Sequence, residues 1–212
     1  TPTIQIEGNT TFCEGGKVTL TSQTDVQSRW STGSHDKALD IRQTGVFTVR
    51  ALDDKGCSSP PSAPVNVQVN ANPAKPHIYF EGSTTFCEGG NILLHSSYEN
   101  GNMWSIGTTD KTINVQQSGR FDVTYRDHNG CESISDPVTV QVNPLPSPPQ
   151  VTALRPTEFC DRDYTVLQAN EQHSYRWNNG HSEREIRIDR SGDYTVTATD
   201  QHGCTSFPSH VT

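Results

Sequence analysis

The chain has 212 residues, of which 31% are hydrophobic, and its formal net charge is −8. Its 16 Lys and Arg residues form no cluster, so the basic face typical of nucleic-acid-binding proteins is absent and we expect no nucleic-acid partner. No apolar run approaches the ~20 residues that a membrane-spanning helix needs, so we expect no direct insertion into a membrane.

One short motif occurs three times along the chain. It reads NTTFCEGG at 9–16, STTFCEGG at 83–90 and PTEFCDRD at 156–163. In each copy the Cys is followed at constant spacing by a Trp, two Gly residues, an aromatic residue and a D-x-x-G-C motif, and the two Cys residues are always 44 positions apart. A fixed period of this kind indicates a tandem array. It predicts three domains, 1–72, 73–145 and 146–212, and the last strand of the third is expected to be truncated.

The six cysteines predict disulfides. A domain of this size buries only about 60% of its extended surface and is marginal by itself, so a cross-link is expected. An even number of Cys at fixed spacing is typical of a disulfide framework in an oxidising compartment, which places the chain outside the cell or on its surface. Zinc sites need closer Cys or His spacings than these. We predict one disulfide in each domain, Cys13–Cys57, Cys87–Cys131 and Cys160–Cys204.

Short segments in which hydrophobic and polar residues alternate run along each repeat and predict β-strands. Two strands have inward residues Val18/Leu20 (with Ile92/Leu94) and Leu39/Ile41 (with Ile113/Val115 and Ile186/Ile188). Two more have inward residues Phe47/Val49/Ala51 (with Phe121/Val123/Tyr125 and Tyr194/Val196/Ala198) and Val65/Val67/Val69 (with Val138/Val140/Val142). No stripe of 3.6-residue period lasts two helical turns, so no helix is predicted.

The recurrent aromatic residues are predicted to fill the core of each domain. They are Trp30, Trp104, Trp177, Phe47, Phe121 and Tyr194. A buried indole N–H is expected to find a hydrogen-bond acceptor. The Cys-Trp-Cys order and the domain size resemble the immunoglobulin class. We therefore predict an all-β fold of three tandem immunoglobulin-like antiparallel β-sandwich domains with one disulfide each.

Turns separate these strands. Gly45, Gly119 and Gly192 stand before a predicted strand, where we expect a turn that needs positive φ. The segments DDKG, DHNG and DQHG are typical of Asx-Gly turns. Their acids Asp53, Asp127 and Asp200 are weak calcium candidates, because calcium takes about six to eight oxygen ligands. We interpret them as turn residues that bond their own backbone, and we expect no metal and no cofactor.

The segments between the repeats are rich in proline. They read NANPAKP at 70–76 and NPLPSPP at 143–149. Proline fixes φ, and clustered prolines favour an extended, semi-rigid connection. We expect the domains to be held as a stiff series.

The succession F-C-x-G-G, W-S-x-G, S-G-x-F-x-V, D-x-x-G-C and P-V-x-V-x-V-N-P resembles the tandem immunoglobulin-like or PKD-like repeats of Bacteroidota cell-surface proteins. Gliding adhesins and other type IX-secreted proteins carry similar repeats. The resemblance covers essentially the whole chain, although Arg162 and Asp163 replace Gly-Gly in the third copy. It implies a secreted or cell-surface location and transfers no catalytic residue.

A non-enzymatic spacer is the function that these observations favour. The eight His residues share no position across the repeats, and no catalytic pattern is found. We expect a structural stalk segment of a large extracellular adhesin or surface protein, with further repeats of the same chain as its partners. The first alternative is a module that binds glycan or a partner protein, with Tyr79, Tyr98 and Tyr175 as candidate contacts. The second is a subunit of an extracellular filament or assembly, in which a neighbouring chain completes the last strand.

Overall fold

The computed structural model describes residues 1–160 and 162–211, and its regular elements there are strands. The first repeat contains β1 Thr3–Glu7, β2 Thr11–Cys13, β3 Val18–Gln23, β4 Gln27–Trp30, β5 Ala38–Ile41, β6 Gly45–Phe47, β7 Val49–Leu52 and β8 Val65–Asn70. The second contains β9 Ile78–Tyr79, β10 Thr85–Cys87, β11 Ile92–Ser96, β12 Asn102–Trp104, β13 Thr112–Val115, β14 Gly119–Phe121, β15 Val123–Arg126, β16 Glu132–Ile134 and β17 Val138–Asn143. The third contains β18 Val151–Ala153, β19 Thr165–Ala169, β20 Ser174–Trp177, β21 Glu185–Ile188, β22 Tyr194–Thr199 and β23 Ser209–Val211.

The all-β class predicted from the alternating segments is confirmed. In the described part of the chain, no helix is long and apolar enough to cross a membrane. The chain divides into two compact units, and each takes part of the second repeat. Unit 1 is Thr1–Ile78, Ser96–Lys111 and Asp122–Asp136, and unit 2 is Tyr79–His95, Thr112–Phe121 and Pro137–Thr212. The domain boundaries at 72 and 145 stay a prediction.

Unit 1 contains the complete sandwich of the first repeat. One sheet has the order β1-β3-β5, with Leu20 opposite both Ile6 and Leu39. The strands on the other side are the pair β4-β7 and the sheet β2-β8-β6. Unit 1 also holds the antiparallel sheet β12-β15-β16, which belongs to the second repeat.

The core of the first repeat is built from the inward residues of these strands. Its buried members are Val18, Leu20, Trp30, Ile41, Phe47, Val49 and Val67. The alternation of β3 puts every second side chain on this side, since successive residues of a strand face opposite ways. Trp30 is 2% exposed, and its indole Nε1–H donates to the carbonyl of Asp36 at 2.8 Å. Its burial therefore leaves no unsatisfied donor.

Unit 2 contains the third repeat and the remaining strands of the second. The third repeat has the sheets β18-β19-β21 and β20-β22-β23, around a core that includes Leu167, Trp177, Ile186 and Val196. Trp177 is 1% exposed and donates to the carbonyl of Glu183 at 2.9 Å. From the second repeat come the antiparallel pair β11-β13 and the sheet β10-β17-β14.

Among the described residues two strand pairs are parallel, which alternation alone does not predict. Strand β2 runs parallel to β8, with Cys13 opposite Asn70. Strand β10 runs parallel to β17, with Cys87 opposite Asn143. In both repeats the Phe-Cys motif therefore lies at the end where the chain leaves the repeat. This placement governs the chemistry of the cysteines.

Gly45 and Gly119 have a role different from the predicted one. Neither has positive φ, and each is the first residue of its strand, β6 or β14. A Cβ added to Gly45 would lie 3.1 Å from the ring of Phe47, and one added to Gly119 would lie 3.0 Å from the ring of Phe121. The glycines make room for an aromatic ring two residues later, because a side chain there would meet that ring. Gly192 also lacks positive φ, and the nearest atom to a Cβ there is 3.8 Å away.

Arg162 lies in a backbone conformation that favours glycine. Its φ is +71°, and the equivalent residues of the earlier repeats, Gly15 and Gly89, have φ of +91° and +90°. A left-handed conformation costs a residue with a side chain about 1–2 kcal/mol. Replacement by glycine removes this cost, but part of the stabilisation is lost because glycine is freer in the unfolded chain. We expect Arg162→Gly to raise the free energy of unfolding by about 0.5–1 kcal/mol.

Urea denaturation followed by tryptophan fluorescence would measure the change. Gly89→Ala is the matched control, and it should lower stability by about 1 kcal/mol for the same reason. An Arg162→Gly variant less stable than the parent chain would contradict the prediction.

Candidate functional site

The D-x-x-G-C motif forms the same turn in all three repeats. In the second, Oδ1 of Asp127 accepts hydrogen bonds from the backbone N–H of Asn129 at 2.9 Å and of Cys131 at 2.8 Å. Gly130 reaches the left-handed φ of +81° that closes the turn. In the other two turns Oδ1 of Asp53 accepts from the N–H of Cys57 at 2.8 Å, and Oδ1 of Asp200 accepts from that of Cys204 at 2.9 Å. Each turn thus holds its cysteine in a defined place.

These bonds give the recurrent aspartates a structural role. Burial raises the pKa of Asp127, but hydrogen bonds from the N–H groups of Cys131 and Asn129 outweigh it and hold that pKa below its usual value. The acceptor oxygen is engaged by the turn itself, as an Asx turn requires. Among residues 1–160 and 162–211, no group of three or more His, Cys, Asp or Glu side chains is arranged to hold a metal ion.

The Phe-Cys motif forms a second kind of turn. The N–H of Gly16 donates to the carbonyl of Cys13 at 3.0 Å, and Gly90 donates to Cys87 at the same distance. The next residue ties the turn to the last strand of its repeat, since Glu14 N–H donates to Asn70 O at 2.9 Å. In the second repeat, Glu88 N–H donates to Asn143 O at 2.8 Å. The first cysteine of a repeat is therefore fixed beside the start of the linker.

The disulfides join successive repeats. Cys13 of the first repeat is bonded to Cys131 of the second, and Cys87 of the second is bonded to Cys204 of the third. They close loops of 118 and 117 residues, and both Cα–Cα distances are 5.5 Å. The predicted bonds Cys13–Cys57, Cys87–Cys131 and Cys160–Cys204 are therefore wrong.

The direction of the strands explains this pairing. Strand β6 is antiparallel to β8, with Gly45 opposite Val67 and Phe47 opposite Val65. The chain therefore moves away from the end of β8 as it approaches β7 and the turn of Cys57. Cys13 lies at the other end, beside Asn70, where the linker leads towards the next repeat. The equivalent turn of that repeat then presents Cys131 to Cys13.

Bonded and unbonded cysteines differ in burial. Cys131 and Cys204, the second cysteines of their repeats, are 1% and 0% exposed. Cys57 is at the equivalent position of the first repeat, and it is exposed and unpaired. Cys160 is at the position of Cys13 and Cys87, and it is also exposed and unpaired. The same turn is therefore covered when it is joined to another repeat and open when it is not.

The first linker is held from the side of the first repeat. The backbone N–H of Asn72 donates to Oε2 of Glu14 at 3.3 Å, and its side-chain amide donates to the carbonyl of Glu14 at 3.3 Å. Glu14 directly follows Cys13, so these contacts lie beside the disulfide. They fix the direction in which the linker leaves.

Residues of the second repeat hold the same linker further on. Ser133 Oγ donates to the carbonyl of Pro73 at 2.6 Å, and Tyr98 Oη donates to that of Ala74 at 2.9 Å. Lys75 pairs with Asp136 at 2.6 Å, although both side chains are more than half exposed and such a pair contributes little. Hydrogen bonds from both repeats and the cystine together restrict the linker.

The three candidate tyrosines fall into two groups. Tyr98 is half-buried, stacks on Tyr125 with ring centroids 3.6 Å apart and bonds the linker. The hydroxyl of Tyr175 donates to Asn170 O at 2.7 Å and accepts from the N–H of Gln172 at 2.8 Å. These two hydroxyls are engaged in the fold. Tyr79 is 45% exposed and stacks on His95 at 5.1 Å, so it remains the open aromatic surface among the three.

A cavity of about 400 Å³ lies in the third repeat. Its apolar lining includes Phe159, Leu167, Ile188, Tyr194 and Val211. Residues 158–159, which correspond to residues 11–12 of β2, and residues 192–194, which correspond to β6, both contribute to it. In the first repeat the strand between β2 and β6 is β8. The cavity therefore lies between segments equivalent to the two strands that flank β8 in the first repeat.

No protein-family model and no curated protein matches the chain. One solved structure that it resembles is described as "Ca2+-stabilized adhesin helps an Antarctic bacterium reach out and bind ice". The identity is 14%, the TM-score is 0.42, and the match covers 99% of this chain and 72% of that one.

Removal of one cystine should destabilise the chain strongly. A disulfide that closes a loop of this length stabilises by about 3–5 kcal/mol, mainly by restricting the unfolded chain. We expect Cys131→Ala to lower the free energy of unfolding by that order, measured by guanidinium denaturation under non-reducing conditions.

Cys57→Ala is the matched control, because Cys57 occupies the same turn without a bond. It should change stability by less than about 0.5 kcal/mol, as is usual for an exposed site. Peptide mapping without reductant should recover Cys13 linked to Cys131. Recovery of Cys13 linked to Cys57 would contradict the structure.

Acid should weaken the turn of Asp127. Its pKa is lower in the folded chain, so the unfolded chain binds more protons in acid. The contribution of the Asp127 carboxylate to stability is present above its unfolded pKa of about 3.9. It is lost as the pH falls through the lowered pKa of the folded chain. We expect Asp127→Asn to show a smaller loss of stability between about pH 5 and about pH 3, measured by urea midpoints.

Asp54→Asn is the control for this measurement. Asp54 is an exposed acid next to the turn acid Asp53 of the first repeat. The control should keep the decline of the parent chain. If both substitutions reduced the loss of stability in acid equally, the cause would be a general charge effect and not the turn of Asp127.

Proposed function

We propose that the chain is a non-enzymatic spacer segment of an extracellular or cell-surface protein. In this proposal its repeats are covalently joined to one another and resist extension. The single observation that carries it is the pair of cystines between successive repeats, Cys13–Cys131 and Cys87–Cys204. A cystine within each repeat would stabilise that repeat alone. A cystine between repeats restrains the connection between them.

The contacts of the first linker support this function. Glu14 on one side and Ser133 and Tyr98 on the other bond the backbone of residues 72–74. Proline already restricts the φ angles of this segment, so these contacts fix it with little further loss of conformational entropy. The joint then transmits force through a cystine, several hydrogen bonds and the backbone together, as a semi-rigid rod would require.

The cystines also support a location in an oxidising compartment. Disulfides persist in secreted and surface proteins and are rare in the cytosol. Cys131 and Cys204 are almost completely buried, which protects these bonds from reductants in solution. The resemblance to Bacteroidota surface repeats agrees with such a location, and the finer assignment to an adhesin exported by type IX secretion is part of the proposal.

The binding alternative has one specific observation in its favour. Tyr79 stacks on His95 and is 45% exposed, while Leu93 on the same strand as His95 is also 45% exposed. Aromatic faces of this kind suit the apolar faces of sugars. A glycan-array signal that Tyr79→Ser abolishes would favour this alternative over the spacer.

Single-molecule stretching tests the spacer directly. In the oxidised chain the shortest covalent route between the termini runs through both cystines and includes only the segments 1–13, 87–131 and 204–212. At about 3.5 Å per residue, complete unfolding should extend this route to roughly 22 nm, against about 74 nm for the reduced chain. The measurement is force spectroscopy on a chain with terminal peptide handles and Cys57 and Cys160 replaced by Ala.

The same chain with Cys131→Ala and Cys204→Ala is the control, and it should reach the long extension without reductant. An oxidised parent chain that also reaches the long extension would overturn the proposal. It would mean that the cystines do not limit the separation of the repeats.

A further inference from the structure

The two unpaired cysteines occupy complementary positions in the repeat pattern. Cys57 corresponds to Cys131 and Cys204, which accept a bond from the preceding repeat. Cys160 corresponds to Cys13 and Cys87, which bond to the following repeat. Cys57 therefore has the position that bonds to a preceding repeat, and Cys160 has the position that bonds to a following one. Both are exposed, so a partner can reach them.

The turn of Cys57 already has the geometry of a formed joint. Its N–H donates to Oδ1 of Asp53 at 2.8 Å, as that of Cys131 donates to Asp127 at 2.8 Å. Gly56 has φ of +81°, equal to that of Gly130. The turn therefore keeps the joint geometry without a partner, and bonding need not rearrange its backbone.

The turn of Cys160 keeps its geometry despite a changed sequence. The N–H of Asp163 donates to the carbonyl of Cys160 at 3.0 Å, the same bond and distance that Gly16 makes to Cys13. Arg162 adopts positive φ, although glycine occupies its position in the other two repeats. A strained residue that reproduces the conformation of glycine indicates that the fold enforces this turn.

We propose that Cys57 and Cys160 are the open halves of two further joints, each of which takes a repeat of this same kind. Cys57 bonds to the Phe-Cys turn of a preceding repeat, and Cys160 bonds to the D-x-x-G-C turn of a following one. A second copy of this chain carries both halves, so two copies should join head to tail through Cys160 of one and Cys57 of the other. This inference deepens the proposed spacer function and rests on it.

The bond forms by thiol–disulfide exchange with a low-molecular-weight disulfide as the oxidant. The thiolate of Cys160 attacks that disulfide, forms a mixed disulfide and releases one small thiol. The thiolate of Cys57 then attacks the Sγ of Cys160 and releases the second small thiol. Two cysteine thiols are oxidised to one cystine, and the small disulfide is reduced to two thiols.

The test uses the chain of 212 residues in a buffer of oxidised and reduced glutathione. The parent chain should form a ladder of dimers, trimers and longer species on non-reducing gels, with Cys57–Cys160 peptides identified by mass spectrometry. Cys57→Ser alone and Cys160→Ser alone should stay largely monomeric, because each lacks one half of the joint. Mixed in equal amounts, the two variants should give a dimer and nothing longer.

A displaced thiol controls for random oxidation. Asp54→Cys in the Cys57→Ser/Cys160→Ser background places the thiol three residues away on the same exposed turn. Mixed with Cys57→Ser, it should link to Cys160 at least about tenfold more slowly than Cys57 does, because exchange depends on access and approach geometry. The two intrachain cystines stay intact in all these variants, so loss of folding is not expected.

Three results would overturn the inference. The first is homodimers of each single variant formed as fast as the mixed dimer. The second is no linkage beyond glutathione adducts. The third is a Cys57–Cys160 bond within a monomer. None of these depends on the stretching experiment, because the stretched chain lacks both unpaired thiols, so the spacer function and this inference can fail separately.

Discussion

The cystine between Cys13 and Cys131 is the constraint on which the first unit depends. It requires the first cysteine of a repeat to lie where the chain leaves and the second cysteine of the next repeat to meet it. The parallel pairing of β2 with β8 satisfies the first requirement, and the Asx turn of Asp127 satisfies the second. The linker contacts then follow, because the joint brings Ser133 and Tyr98 within reach of residues 73 and 74.

Local features of the fold could be predicted from the sequence, because they depend on neighbouring residues. The alternation in β3 places Val18 and Leu20 inside, and both are completely buried. Each repeated Trp donates its N–H to a carbonyl six residues later. The disulfide partners could not be predicted in this way. In a regular array the spacing of 44 recurs whichever repeat provides the partner, so periodicity cannot distinguish a bond within a repeat from one between repeats.

Three residues have roles that their own residue type does not reveal. Gly45 is needed for the ring of Phe47 and not for a turn, and Tyr98 bonds a linker instead of facing solvent. Arg162 holds a conformation that its side chain disfavours. Propensity at the position itself reveals none of these roles, because the ring of Phe47 decides the first and the linker carbonyl of Ala74 decides the second. Asp127 is the opposite case, since its role is confined to its own turn.

The two closed loops overlap, since one spans residues 13–131 and the other 87–204. A protease that cuts one peptide bond between Cys13 and Cys204 therefore releases nothing, because at least one cystine spans every such bond. Bonds between Cys87 and Cys131 are spanned by both. The covalent connection between residues 13 and 204 is therefore redundant, and more than one cleavage there is needed to separate the chain into two parts. A surface protein exposed to foreign proteases would keep its reach after damage that severs an ordinary string of domains.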